Sequence, residues 1–237
     1  WVRARQGWEV EGAALSFKEG DGLASLLRCR TIDPVVFLDS AGRSYSVDAT
    51  SLPTGRGDGV PVTSLLEMQG GAKIIHVLAG RPETRVFVAN TGGYAFHTKL
   101  SDMVSNRRAG REFMTLEKGE LPLPPVVFEE APGAYIAALS EGGRLLLVQL
   151  PELKYQTKGR GLILMGLDKG EKLVAVAISD QPSLTVLGVG RANKDREIDL
   201  KAKDLGYYAG NRALRGRMLP EKMKPVGLRT AVPPAKT

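Results

Sequence analysis

The residues with chemistry to offer are cations set beside glycines. In "QTKGRGL" (156–162), Lys158 and Arg160 alternate with Gly159 and Gly161. A turn needs the glycines but not the cations. An anion-holding loop uses both: glycine lets the backbone approach closely, and Arg or Lys neutralises charge. The combination recurs in "LPTGRGDG" (52–59) with Arg56 and in "SNRRAGRE" (105–112) with Arg107, Arg108 and Arg111. It recurs again in "NRALRGRM" (211–218) with Arg212, Arg215 and Arg217. Phosphate contact suits this series; solvated turn residues are the plainer alternative. Other chemistries lack their residues. His76 and His97 are the only histidines and Cys29 the only cysteine, and no cluster has metal-ligand spacing. No nucleophile elbow holds Ser, His and Asp together, and "GVGRANKDR" lacks the Gly-Lys-Ser/Thr ending of a phosphate loop.

These loops belong to a repeat. "FLDSAGRSYSV" (37–47), "FVANTGGYAFH" (87–97) and "AALSEGGRLLL" (137–147) each run strand, glycine turn, strand, with glycines at 42, 92 and 142. A degenerate copy, "SLTVLGVGRANKDREIDL" (183–200), carries Arg191 near its turn. The cation–glycine loop follows each hairpin. Another tight turn comes next: "MQGGAK", "LEKGEL", "LDKGEK" and "LPEKMK". Val, Ile, Leu and Phe fill the strand positions, and Gly, Pro, Asp and Asn the turns. Helical periodicity is rare; residues 99–107 are the best candidate, for a single turn. Four-stranded units at a period of about 40 to 50 residues predict an all-β, propeller-like array in which neighbouring units bury each other's faces. Closing such an array removes exposed edges. The expected units are 1–34, 35–84, 85–133, 134–182 and 183–229, about five blades in one domain over 1–229, with a flexible tail at 230–237. Arg43 and Arg144 flank the hairpin turns and, with Arg191, are secondary candidates for reaching an anion.

The chain has 237 residues, 43% hydrophobic and 25% charged, with formal net charge +7 and pI about 9.5. That balance favours a polyanionic partner. No run has the roughly 18 to 20 apolar residues of a membrane span. The lone Cys29 rules out an internal disulfide framework and fits a reducing cytoplasm. The start, Trp1-Val2-Arg3-Ala4-Arg5, has neither an initiator Met nor a secretory segment, so a piece of a longer protein is expected.

"DPVVFLDSAGRSYSVDATSLPTGRGDG", "SNRRAGREFMTL" and "QTKGRGLILMGL" together resemble the C-terminal domain of the A subunit of bacterial type IIA topoisomerases. The likeness extends to about residue 229 and is nearer the topoisomerase IV (ParC) type than gyrase. It implies a β-pinwheel, a propeller-like disc whose blades exchange an outer strand, with about five four-stranded blades. It also implies double-stranded DNA bound along a basic outer rim. The implied DNA-binding residues are Arg56, Arg107, Arg108, Arg111, Lys158, Arg160, Arg212, Arg215 and Arg217, with Arg43, Arg144 and Arg191 behind them. The gyrase type carries a basic box, Gln-Arg-Arg-Gly-Gly-Lys-Gly, in its first blade. Here "LSFKEGDGLAS" (15–25) keeps Lys18 but sets Glu19 and Asp21 where cations belong, which disfavours phosphate.

The resemblance further implies a non-catalytic, nucleoid-associated cytoplasmic domain that engages and bends DNA. It would tune supercoil relaxation and decatenation by an ATP-dependent holoenzyme. No cofactor is expected in this domain; ATP and Mg would act through other domains. Implied partners are the catalytic core, chromosome-organising proteins and the B subunit, with no membrane. A protein-interaction propeller, a gyrase A domain with a degenerate box, and a propeller enzyme are the competing readings.

Overall fold

The computed structural model describes residues 1–5, 7, 19, 20, 22–54 and 58–230. Apart from short helical turns, the described chain is strands and loops, as expected. Three four-stranded antiparallel sheets and one three-stranded sheet follow one another along it. The first combines β1 (Pro34–Asp39), β2 (Arg43–Asp48), β3 (Ile74–Ala79) and β6 (Arg111–Glu112), in the order β3-β1-β2-β6. The second combines β4 (Arg85–Ala89), β5 (Tyr94–Lys99), β7 (Val126–Phe128) and β10 (Leu162–Ile163), ordered β10-β5-β4-β7. The third combines β8 (Tyr135–Ser140), β9 (Arg144–Gln149), β11 (Leu173–Ser179) and β14 (Arg217–Met218), ordered β11-β8-β9-β14. The last holds β12 (Ser183–Val189), β13 (Asp195–Lys201) and β15 (Lys224–Thr230), ordered β13-β12-β15.

The edge strands β6, β10 and β14 come from the following repeat, the strand exchange of a pinwheel. β13 occupies the place of β2, β5 and β9, but among the described residues it has no such fourth strand. Most of the expected first unit, 1–34, lies outside the described residues or has no regular structure. Its start pairs with the next repeat: Val2 and Val60 exchange backbone hydrogen bonds of 2.9 and 3.0 Å, and Ala4 bridges Thr54.

The hairpin turns of the first three sheets are built alike, whereas that between β12 and β13 turns through Ala192 and Asn193 at φ 59° and 54°. In the first three, a buried polar residue ends the first strand and accepts from the turn. Asp39 Oδ1 takes the N–H of Ala41 and of Arg43, both at 2.9 Å. Asn90 Oδ1 takes those of Gly92 at 3.0 Å and Tyr94 at 3.2 Å, and Ser140 Oγ takes that of Arg144 at 3.2 Å. The left-handed residue is Gly42, Gly93 or Gly143, with φ of 81°, 86° and 82°. The equivalent glycines are therefore 42, 93 and 143, not 42, 92 and 142; the sequence register was one residue off in two copies.

A helical turn follows each second strand. Ala49–Ser51 and Leu150–Glu152 are 3-10 turns, and α2 (Leu100–Met103) is the single turn expected within 99–107. A two-turn helix, α3 (Ala202–Tyr208), takes the fourth place. Sequence periodicity missed it because it is short and carries Gly206 in its interior. α1 (Val62–Leu65) is one further turn.

The chain forms two compact units. One holds Trp1–Thr84 with Lys99–Phe113, the other Arg85–Thr98 with Met114–Thr237. The first is cored by Val35, Phe37, Tyr45, Ala49, Leu52 and Leu66. In the second, β8 is buried on both faces. Ile136 and Ala138 pack with Phe87, Ala95 and Leu164, while Tyr135, Ala137 and Leu139 pack with Val186, Ile198 and Leu200. A strand buried on both sides loses the polar/apolar alternation of a surface strand and becomes the continuous apolar run "YIAAL". Each large side chain so buried contributes about 1.5–3 kcal/mol.

Candidate nucleic-acid interface

One glycine organises each basic loop. Gly59, Gly110, Gly161 and Gly216 have left-handed φ of 86°, 63°, 85° and 72°. A Cβ on any of them would overlap a carbonyl oxygen of the strand alongside: Val2, Ser44, Ala95 and Leu145, respectively. The strand after the glycine then fastens to the hairpin turn. Phe113, Leu164 and Leu219 donate their N–H groups to the carbonyls of Gly42, Gly93 and Gly143 at 3.2, 2.8 and 2.9 Å. These glycines therefore serve the close approach of protein backbone to protein backbone. The role assigned to them from the sequence, approach to a bound anion, is corrected accordingly. Gly159 has no neighbour tighter than Gln156 Oε1 at 3.7 Å.

Counting from the seating glycine sorts the cations. Three residues before it stand Arg56, Arg107 and Lys158. Arg107 and Lys158 are exposed, and neither has an ion pair among the described residues. Arg56 lies outside the described residues. In the fourth loop Ala213 takes that place with φ 67°, and the cation, exposed Arg212, comes one residue earlier. Its N–H is held by Glu152 Oε2 at 3.0 Å. Arg108 points back to its own unit, donating to the carbonyls of Ser64 at 2.8 Å and Leu65 at 3.1 Å. Arg111, on β6, is half-buried, and Arg217, on β14, lies exposed over the Tyr207 ring at 4.4 Å.

The residue just before the seating glycine is different. Arg160 forks onto Glu120 at 2.7 and 3.1 Å, reaches Glu117 at 3.2 Å and lies 4.0 Å above the Tyr94 ring. Partial burial works against its charge, but the hydrogen bonds to Glu120 and the charges of Glu120 and Glu117 prevail and raise its pKa. Arg215 meets Asp168 at 2.8 Å, with both side chains largely in solvent. The corresponding residue of the first sheet's loop is Ala109.

The secondary candidates divide. Arg43 is 14% exposed and donates to the carbonyls of Ala109 at 2.9 Å and Gly110 at 3.3 Å. Arg144 makes the longer equivalent to Gly216 at 3.5 Å. Both donate to the loop beside them. Arg191 is exposed. Of the altered box, Lys18 and Asp21 lie outside the described residues, and Glu19 is exposed.

Sequence reasoning missed the carboxylates. Glu120 closes the turn "LEKGEL", its Oε2 accepting the N–H of Glu117 at 2.8 Å. Glu171 does the same in "LDKGEK" with Asp168 at 3.0 Å, and also accepts from Ser140 Oγ at 2.6 Å and the Gly142 N–H at 3.0 Å. A Cβ on Gly92 or Gly142 would collide with Glu120 or Glu171. In the first sheet both places are filled by alanine, Ala41 and Ala72. Glycine in the hairpin thus accompanies glutamate in the turn, a pairing visible in the sequence once the repeats are aligned.

An all-β domain of strand-exchanging sheets, each edge strand led by a cation–glycine loop, is a propeller of the pinwheel kind. The family described as DNA gyrase C-terminal domain, beta-propeller, matches residues 84–121 and 134–180. The A subunit of DNA topoisomerase 4 from Neisseria gonorrhoeae is 39% identical over 230 residues, which cover 93% of this chain and 29% of that protein. The chain thus spans under a third of the curated relative's length. The E. coli ParC C-terminal domain superposes with TM-score 0.87 at 29% identity, covering 97% of this chain and 94% of that one. A DNA gyrase A C-terminal domain shares the fold at TM-score 0.61 and 14% identity, covering 91% and 68%. The chain belongs to the gyrase A and topoisomerase IV A C-terminal β-pinwheel family.

Proposed function

We propose that this chain is the DNA-engaging C-terminal domain of a topoisomerase IV A subunit. The observation that carries the proposal is the exposed cation repeated three residues before the seating glycine, at Arg107 and Lys158, with Arg212 one residue earlier. Each stands on a loop fastened to a sheet edge, so its backbone is held while its side chain meets solvent. Such cations neutralise phosphates and release counterions without reading base sequence. Bending a segment of 20–30 bp by 40–90° costs about 1–6 kcal/mol, so several contacts must act together.

In this reading the domain itself cuts no DNA. It presents a duplex to a catalytic core, works with a B subunit that uses ATP and Mg, and biases relaxation and decatenation. Among the described residues no helix is long and apolar enough to cross a membrane; a cytoplasmic site of action is part of the proposal.

The test is binding of the 237-residue chain to duplex DNA over a salt series. The expected outcome is a log–log slope of about −0.9 per neutralised phosphate, with little dependence on base sequence. No binding at about 50 mM salt would sink the proposal and favour a protein-interaction propeller.

A further inference from the structure

The loop cations do not all have the same surroundings. Arg160 is 21% exposed and Glu120 13%, so this pair is well shielded from solvent, whereas Lys158, two residues away, is exposed. A bidentate Arg–carboxylate pair has fixed geometry, and stacking on an aromatic face restrains the guanidinium further. Glu120 is itself fixed: it closes its own turn through the N–H of Glu117, and Gly92 leaves room for it. The guanidinium therefore ties the basic loop to the 117–120 turn and to Tyr94 on β5. Where the turn has Ala72 in place of the glutamate, the loop has Ala109 in place of the arginine, so the two positions change together. A cation kept for phosphate would have no reason to vanish with a carboxylate on another loop. One kept for that carboxylate would. Arg215 ties its loop to the corresponding turn more openly and through a different residue, Asp168 at the place of Glu117.

We infer that Arg160 is a positioning residue that acts through Glu120 to hold the loop, while Lys158, Arg107 and, one residue earlier in its own loop, Arg212 make the phosphate contacts. This rests on the DNA-binding reading above and refines it. The loop cations are not interchangeable: a neutralised, restrained arginine sets the backbone from which a free lysine or arginine reaches out.

The experiment measures binding of the full chain and its variants to one duplex of about 30 bp by fluorescence anisotropy between about 50 and 200 mM NaCl. Lys158→Gln and Arg107→Gln should each make the salt slope shallower by about 0.9, the loss of one phosphate contact. Arg160→Gln should weaken binding several-fold at fixed salt yet keep the full slope. Glu120→Gln removes a negative charge and on charge alone would tighten binding; it should weaken it instead. The double variant Arg160→Gln/Glu120→Gln should bind no worse than either single one, because both remove the same tie. A slope loss in Arg160→Gln equal to that in Lys158→Gln, or tighter binding by Glu120→Gln, would overturn the inference and leave DNA binding intact. Failure of the unaltered chain to bind the duplex would instead overturn the underlying reading.

Discussion

Gly216 lies so close to Leu145 that a Cβ added to it would stand 2.5 Å from the Leu145 carbonyl oxygen. The loop can cross there only because glycine offers no side chain. Its φ of 72° adds a conformation that costs other residues about 1–2 kcal/mol. Gly216→Ala should therefore destabilise the domain by at least about 2 kcal/mol, since backbone cannot yield cheaply. Urea unfolding followed by circular dichroism measures this; a loss under about 0.5 kcal/mol, the range of an ordinary surface substitution, would show that the seat is not required.

Gly206 makes the opposite case. It lies inside α3 with nothing within 4 Å of a would-be Cβ and no left-handed φ. Gly206→Ala should stabilise the domain by about 0.5–1 kcal/mol, because alanine loses less backbone entropy in a helix. A small rise in the thermal midpoint checks it.

Tyr45 OH donates to Asp39 Oδ2 at 2.9 Å, and both residues are fully buried. Burial raises the phenol's pKa, and the bond to Asp39 raises it further. Tyr45→Phe keeps the ring but leaves a carboxylate oxygen short of its donor, at a cost of about 1–3 kcal/mol. Denaturant unfolding of the variant at neutral pH gives the number.

Glu171 should make stability depend on pH. Partial burial pushes its pKa up, but donors from Ser140, Asp168 and Gly142 outweigh this and hold it below the usual carboxylate value. A folded pKa below the unfolded one means that the unfolded chain binds more protons between the two. The stabilisation is thus complete above the unfolded pKa and is lost as pH falls through the folded one. Glu171→Gln should be less stable than the parent at neutral pH, with the gap narrowing below about pH 4. A gap that stays constant from about pH 7 to about pH 3 would refute this.

Much of the fold was legible in the one-dimensional pattern. A glycine turn between apolar runs, repeated at a nearly constant period, specifies antiparallel hairpins, because local turn chemistry and side-chain alternation act between residues close in sequence. The basic loops were legible for the same reason. What each loop residue does was not. Lys158 and Arg160 look alike in "TKGRG", and only the approach of Glu120, 40 residues earlier, separates them. Arg43 and Arg144 read as surface cations in one dimension, yet the next repeat's loop lies against each of them. The turn register of the second and third hairpins, the short helix α3 and the strand exchange were also decided in three dimensions. By itself the sequence determined the repeat, its turns and the supply of positive charge, all short-range consequences of residue type. Tertiary structure decided which glycine seats a loop and which arginine is already neutralised, because those answers depend on backbone and carboxylates brought close only by pairing between repeats.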